Sequence, residues 1–109
     1  MKVGLIISTY NWKEALNQVL ESIKFQTYLP DEIVVCDDGS SDDSGELVKN
    51  HQKDFPCILK YVWQEDNGFR VAAIRNKGIN ILSADIEYVV IIDGDMILHR
   101  KFIEDHIFF

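Results

Sequence analysis

Short runs of consecutive apolar residues alternate along the chain with longer stretches in which apolar positions recur every three or four residues. Residues 3–8 are almost continuously apolar, the pattern of a strand covered on both faces of a parallel sheet. After Asn11, the residues Ala15, Leu16, Val19, Leu20 and Ile23 share one face at the helical period, with Lys13, Glu14, Gln18, Glu21 and Lys24 elsewhere. Pro30 and Asp31 break this amphipathic helix, and residues 32–36 form a second, β-branched strand that runs into Asp37-Asp38-Gly39. Ser40, Ser41, Asp42 and Asp43 offer N-caps for a helix running through Val48, and capping accounts for most of that acidic cluster.

Residues 58–63 alternate weakly as a third strand, and Asn67-Gly68 marks a turn. Val71, Ile74, Gly78 and Ile81 then share a helical face, where Gly78 costs stability unless another element packs closely against it. Residues 88–92 form the most apolar strand, expected to be buried, and it ends in Asp93-Gly94-Asp95. Phe102, Ile103, His106 and Ile107 begin a last helical pattern. The strict alternation of strand and helix predicts a doubly wound α/β layer with a mostly parallel sheet and flanking helices. A helical pattern that ends on Phe108 and Phe109 without a stop signal predicts that the natural domain continues, so that this architecture is truncated here.

Composition narrows the choice of partner. With 109 residues and 47% apolar content, the chain fits one globular domain. A formal charge of -7 repels a phosphate backbone and argues against nucleic acid or an anionic membrane as a main partner. A small anion would need to bring a cation with it. The longest fully apolar runs fall far short of the roughly 20 residues that span a bilayer, so the expectation is a cytoplasmic chain. Cys36 and Cys57 have no metal-ligand spacing and read as structural thiols, and His51, His99 and His106 lack ligand spacing with one another.

In open parallel sheets ligands bind beyond the carboxyl ends of the strands, so the residues that follow each apolar run are the candidate site. These are Ser8, Thr9, Tyr10 and Asn11 after the first strand, Asp37 and Asp38 after the second, and Asp93, Gly94 and Asp95 after the fourth; Arg70, Arg75 and Asn76 belong to the opening and body of the third helix. Asp93 and Asp95, alternating about Gly94, bring two hard carboxylates to one turn, a pairing suited to Mg²⁺ or Mn²⁺ with water and substrate phosphates completing the shell. Of the two adjacent acids at 37 and 38, one can accept a pyrimidine N–H and the other a ribose hydroxyl, while Tyr10 can stack on a base. Each feature singly has a plainer reading as a turn, a cap or a polar helix face.

Taken together the segments resemble the first half of the GT-A fold of inverting family 2 glycosyltransferases. The resemblance runs through Ile6-Ile7-Ser8-Thr9-Tyr10-Asn11, Glu32-Ile33-Val34-Val35-Cys36-Asp37-Asp38-Gly39-Ser40-Ser41-Asp42, Ala73-Ile74-Arg75-Asn76-Lys77-Gly78-Ile79 and Asp93-Gly94-Asp95. Ile7 stands where proline often precedes the first motif. The resemblance implies that residues 1–109 are the nucleotide-sugar-binding part of a single glycosyltransferase domain whose acceptor-binding part is absent. It assigns base contacts to Ser8, Tyr10 and Asp38, a ribose contact to Asp93, metal ligation to Asp95, and donor-site roles to Arg75 and Asn76. Asn67-Gly68-Phe69-Arg70 looks like the loop of bacterial capsule and chondroitin-polymerase-type members, which implies a UDP-sugar donor. The implied partners are a glycan or lipid-linked acceptor and Mn²⁺ or Mg²⁺, in bacterial surface polysaccharide or glycan synthesis in the cytoplasm or at the inner membrane face. No residue here fits the general base, which the resemblance places beyond Phe109. The rival readings are a noncatalytic sugar-nucleotide-binding module and an aspartate-dependent phosphoryl-transfer domain. The first is decided by the rest of the reading frame, and the second is disfavoured because no Thr follows Asp95. The missing part would also leave apolar surface open, favouring a dimer.

Overall fold

The computed structural model describes residues 2–68 and 70–108. Its elements are β1 (Val3–Thr9), α1 (Lys13–Ile23), β2 (Glu32–Asp37), α2 (Ser44–Gln52), β3 (Ile58–Trp63), α3 (Val71–Ile81), β4 (Tyr88–Asp93) and α4 (Phe102–Phe108). The four strands form one sheet in the order β3-β2-β1-β4, and every pairing is parallel. This is the doubly wound α/β arrangement that the alternation predicts. Because all strands run the same way, their carboxyl ends share one edge, and the register sets Ser8 beside both Cys36 and Asp93.

The apolar periodicity decides which helix covers which face. Leu16, Val19, Leu20 and Ile23 of α1 are fully buried against Leu5, Ile7, Ile33 and Val35, and Val48 of α2 and Ile103 of α4 join the same cluster. Each such aliphatic side chain contributes about 1.5–3 kcal/mol by leaving water. Among the described residues the opposite face carries one helix, α3, with Ile74 packed on Ile6, Val34 and Cys36. There Gly78 lies against β2, and a Cβ at that position would run into the Cys36 sulfur. The close packing that would justify a glycine inside a helix is therefore present.

Two expectations need correction. β4 is not buried on both faces. Val90 and Ile92 face the α1 side and are buried, whereas Val89 and Ile91 are 39% and 46% exposed. With α3 over β1 and β2, β4 lies at the sheet edge with one apolar face open. The second correction concerns the acidic cluster before α2. Asp43 occupies the N-cap position at φ 67° with no side-chain cap bond. Asp42 instead reaches across to α1, accepting the Lys13 N–H at 3.1 Å, while also accepting the Ser44 hydroxyl at 2.6 Å. These bonds outweigh the burial that opposes ionisation and hold the Asp42 carboxyl below its usual range. The cluster ties one helix start to the other.

Candidate functional site

The carboxyl edge of the sheet opens into a cleft of about 630 Å³, lined by Ser8, Thr9, Tyr10, Trp12, Asp38, Val71, Ala72, Arg75, Asp93, Gly94 and Asp95. Asp38 and Asp95 thus face the same cleft although β1 separates their strands. Gly94 makes this closeness feasible. Its N–H donates to the Ser8 carbonyl at 2.7 Å, and a Cβ there would sit 2.9 Å from that oxygen and 3.1 Å from the Thr9 hydroxyl.

On the floor of the cleft, Ser8, Asp93 and Arg75 form a triangle. The Ser8 hydroxyl donates to Asp93 Oδ1 at 3.2 Å, and the Arg75 guanidinium donates to the same oxygen at 3.0 Å and to Ser8 Oγ at 3.3 Å. Arg75 Nε is buried and has no hydrogen-bond partner among the described residues. Asp95 is exposed, and no hydrogen bond or ion pair holds its carboxylate among the described residues. Cleft walls carrying three carboxylates and one guanidinium remain net negative.

The adjacent acids on β2 part company. Asp37 is fully buried beneath the edge, accepting the Tyr61 hydroxyl at 2.6 Å and the Ser40 N–H at 2.8 Å. Burial, and then this bond to Asp37, push the Tyr61 hydroxyl far above its ordinary range. Asp37 therefore braces the turn and does not line the cleft. Asp38 does line it, with each carboxylate oxygen steadied from behind: Gln64 Nε2 donates to Oδ1 at 2.6 Å and the Arg70 N–H donates to Oδ2 at 2.9 Å.

The remaining candidates divide similarly. Asn11, at φ 45°, donates its N–H to Ser40 Oγ and accepts the Ser41 N–H at its side chain, both at 2.8 Å, and so locks two strand-end turns together outside the cleft. Arg70 serves Asp38 through its backbone, and neither its side chain nor Asn76 lines the cleft. Tyr10 is half exposed on the rim, its hydroxyl donating to Asp66 Oδ2 at 2.7 Å, and this bond raises the Tyr10 pKa. Phe69, part of the loop resemblance, lies outside the described residues.

The sequence reading overlooked Trp12, Val71, Ala72, Gln64 and Asp66. Gln64 and Asp66 follow directly on β3, so their signal in the sequence is their place beyond a strand end, masked by the weak alternation of that strand.

No group of three or more His, Cys, Asp or Glu side chains that could hold a metal exists among the described residues. Asp93 and Asp95 nevertheless fit a hard divalent cation that takes its other ligands from water and phosphate oxygens, because Asp95 and one Asp93 oxygen remain uncommitted. Cys36 and Cys57 are free thiols pushed up to about 12 and about 11 by burial, which suits packing and not chemistry.

The sequence model of the family described as "Glycosyl transferase family 2" matches residues 5–109. Glycosyltransferase GlyA of Streptococcus pneumoniae is 39% identical over 94% of this chain, which spans 14% of that protein. Among solved structures, residues 1–349 of TarS from S. aureus in complex with UDP-GlcNAc superpose with a TM-score of 0.82 at 27% identity, covering 98% of this chain and 30% of the other. The mannosyltransferase PcManGT of Pyrobaculum calidifontis, in complex with GDP-Man and Mn²⁺, superposes with a TM-score of 0.72 at 30% identity, covering 86% and 27% respectively. The family match spans nearly the whole chain, and the fold and strand-edge cleft agree with it: the chain belongs to glycosyl transferase family 2.

Proposed function

We propose that residues 1–109 form the donor-nucleotide part of an inverting glycosyltransferase domain that uses a UDP-sugar to extend a bacterial surface glycan. The observation that carries this reading is the convergence of Asp38, Arg75, Asp93 and Asp95 on one cleft. The Asp38 carboxylate, its two oxygens steadied by the N–H donors of Gln64 and Arg70, is an acceptor suited to the imide N–H of uracil. Tyr10 and Trp12 offer aromatic faces for the base or ribose, and Val71 and Ala72 supply an apolar wall. Asp93 on the floor is placed for ribose hydroxyls, and Arg75 presents positive charge toward the diphosphate.

The UDP-GlcNAc complex of TarS and the Mn²⁺ of PcManGT support a nucleotide-sugar donor and a divalent cation. Asp93 and Asp95 would hold that cation, which when bound supplies neutralisation of the charge that grows on a departing diphosphate. Arg75 adds to that stabilisation from the cleft floor, where it needs no reorganisation as charge develops. A general base must accept the proton of the attacking hydroxyl. The cleft carboxylates are committed to donor binding, so we place the base beyond Phe109, along with the acceptor contacts. The corresponding experiment incubates the full-length protein with UDP-GlcNAc, UDP-glucose and GDP-mannose in Mn²⁺ and measures nucleoside diphosphate release. Release from a UDP-sugar that Arg75→Ala abolishes is the expected result. Release from GDP-mannose alone would overturn the UDP assignment.

A further inference from the structure

Gln64 is a polar side chain only 5% exposed, and in the donor reading above it enters only as a support behind Asp38. It stands one residue beyond β3, where its N–H donates to the Asp37 carbonyl at 3.1 Å. Its side-chain Nε2 donates to Asp38 Oδ1 at 2.6 Å and to the Arg70 carbonyl at 3.0 Å. Because both neighbours are acceptors, the amide has only one workable orientation. A flip would press its oxygen against a carboxylate and a carbonyl. The cost of that orientation is visible, since Oε1 is buried without a hydrogen-bond partner among the described residues. An unsatisfied buried acceptor is expensive, and what offsets it here is the pair of bonds that the amide donates to Asp38 and to the Arg70 carbonyl.

The segment that carries Gln64 is itself clamped to Asp38. Gly39 has φ 93°, and a Cβ there would lie 2.5 Å from the Asp66 backbone, so residues 64–66 cross directly over the Asp38-Gly39 turn. Tyr10, Asp38, Asp66 and Gly68 enclose a side pocket of about 230 Å³ at this crossing. Gln64 carries no charge. It aims the Asp38 carboxylate without adding the opposite charge that a lysine or arginine in its place would bring, and Asp38 lines the cleft.

We infer that Gln64 is a positioning residue that sets base specificity, holding Asp38 as an anionic acceptor that favours a base with a ring N–H, such as uracil, over one whose ring nitrogen is an acceptor, such as cytosine. This inference rests on the proposed UDP-sugar reading. Calorimetric titration of the full chain with UDP and with CDP, at constant Mn²⁺, tests it. Wild type favours UDP, and Gln64→Met lowers UDP affinity about tenfold while leaving CDP nearly unchanged, so that the ratio collapses. A purely structural glutamine would instead shift the urea midpoint and weaken both nucleotides alike.

Gln64→Glu gives a second readout. Its added carboxyl must share a proton with Asp38, the other titratable neighbours being Asp66, Tyr10 and, across the cleft, Arg75. UDP affinity in this variant falls relative to wild type as pH rises from about 5 to about 8, the titration of the nucleotide's own terminal phosphate being common to both. Selective UDP binding by wild type that Gln64→Met leaves intact, with no new pH dependence in Gln64→Glu, would overturn the role of Gln64 alone. Failure of wild type to bind UDP at all would overturn the donor reading beneath it.

Discussion

The seating of α3 on the sheet decides where Arg75 stands, and Gly78 decides that seating. Gly78→Ala brings two opposed effects. Alanine in a helix interior is favoured over glycine by about 1 kcal/mol. Its Cβ, however, meets the Cys36 sulfur inside van der Waals contact, with Ile6 Cδ1 and Val34 Cγ1 each 3.5 Å away and leaving no slack. Overpacking of this kind costs about 1–3 kcal/mol, so the substitution alone leaves stability unchanged or lowers it by up to about 2 kcal/mol. Cys36→Ala removes the obstructing sulfur at a cost of roughly 1 kcal/mol, the scale of one buried methylene-sized group. In the double variant the new methyl occupies the space the sulfur vacates, and the helix gain is retained. The double variant should therefore be more stable than the sum of the singles predicts, by about 1–3 kcal/mol. Urea unfolding of the four proteins, followed by far-UV circular dichroism, measures this coupling. Additivity within about 0.5 kcal/mol would refute the claim that the Gly78–Cys36 contact sets the helix-to-sheet distance.

Two further outcomes follow from other parts of the structure. Burial opposes ionisation of Glu32, but the bond from Lys60 at 2.6 Å and the Ser83 N–H outweigh it and hold the carboxyl below its ordinary value of 4.5; a depressed carboxylate stabilises the fold above that unfolded value and loses its contribution as pH falls through the folded one. Glu32→Gln should accordingly lower the urea midpoint at neutral pH and match wild type in acid, and an unchanged difference across that range would rule out the linkage. Val89 and Ile91 leave β4 with an open apolar face, so the 109-residue chain should self-associate at high concentration and Val89→Lys with Ile91→Lys should shift it to monomer in sedimentation equilibrium; a wild-type monomer at all concentrations would count against this.

Much of the architecture was legible because apolar runs and helical periodicity are local properties. All eight elements lie where the pattern puts them, and the rule that ligands bind at strand carboxyl ends brought Ser8, Thr9, Tyr10, Asp38, Arg75, Asp93, Gly94 and Asp95 to one cleft. What stayed hidden depends on neighbours. The run at 88–92 reads as buried on both faces, yet whether Val89 and Ile91 are covered depends on which strand lies at the edge. Asp37 and Asp38 carry the same side chain, and beyond the resemblance that singles out Asp38, it is the inward Tyr61 hydroxyl and the outward cleft that distinguish them. Asn11 resembled a ligand-facing residue but bonds to Ser40 and Ser41, partners some thirty positions away. Asp42 reads as a cap for α2 alone, yet besides the Ser44 hydroxyl at the start of that helix it accepts the Lys13 N–H at the start of α1.

If Asp93-Gly94-Asp95 joins the nucleotide to a cation, calorimetric titration of the full-length protein with UDP will depend on whether Mn²⁺ is present. The cleft presents Asp38, Asp93 and Asp95 against Arg75, so a diphosphate without a cation meets net negative walls. UDP should bind wild type only with Mn²⁺, Asp95→Asn should remove most of the Mn²⁺-dependent affinity, and Asp38→Asn should weaken binding while keeping the cation requirement. Equal UDP affinity with and without Mn²⁺, unchanged by Asp95→Asn, would contradict that role for Asp93-Gly94-Asp95.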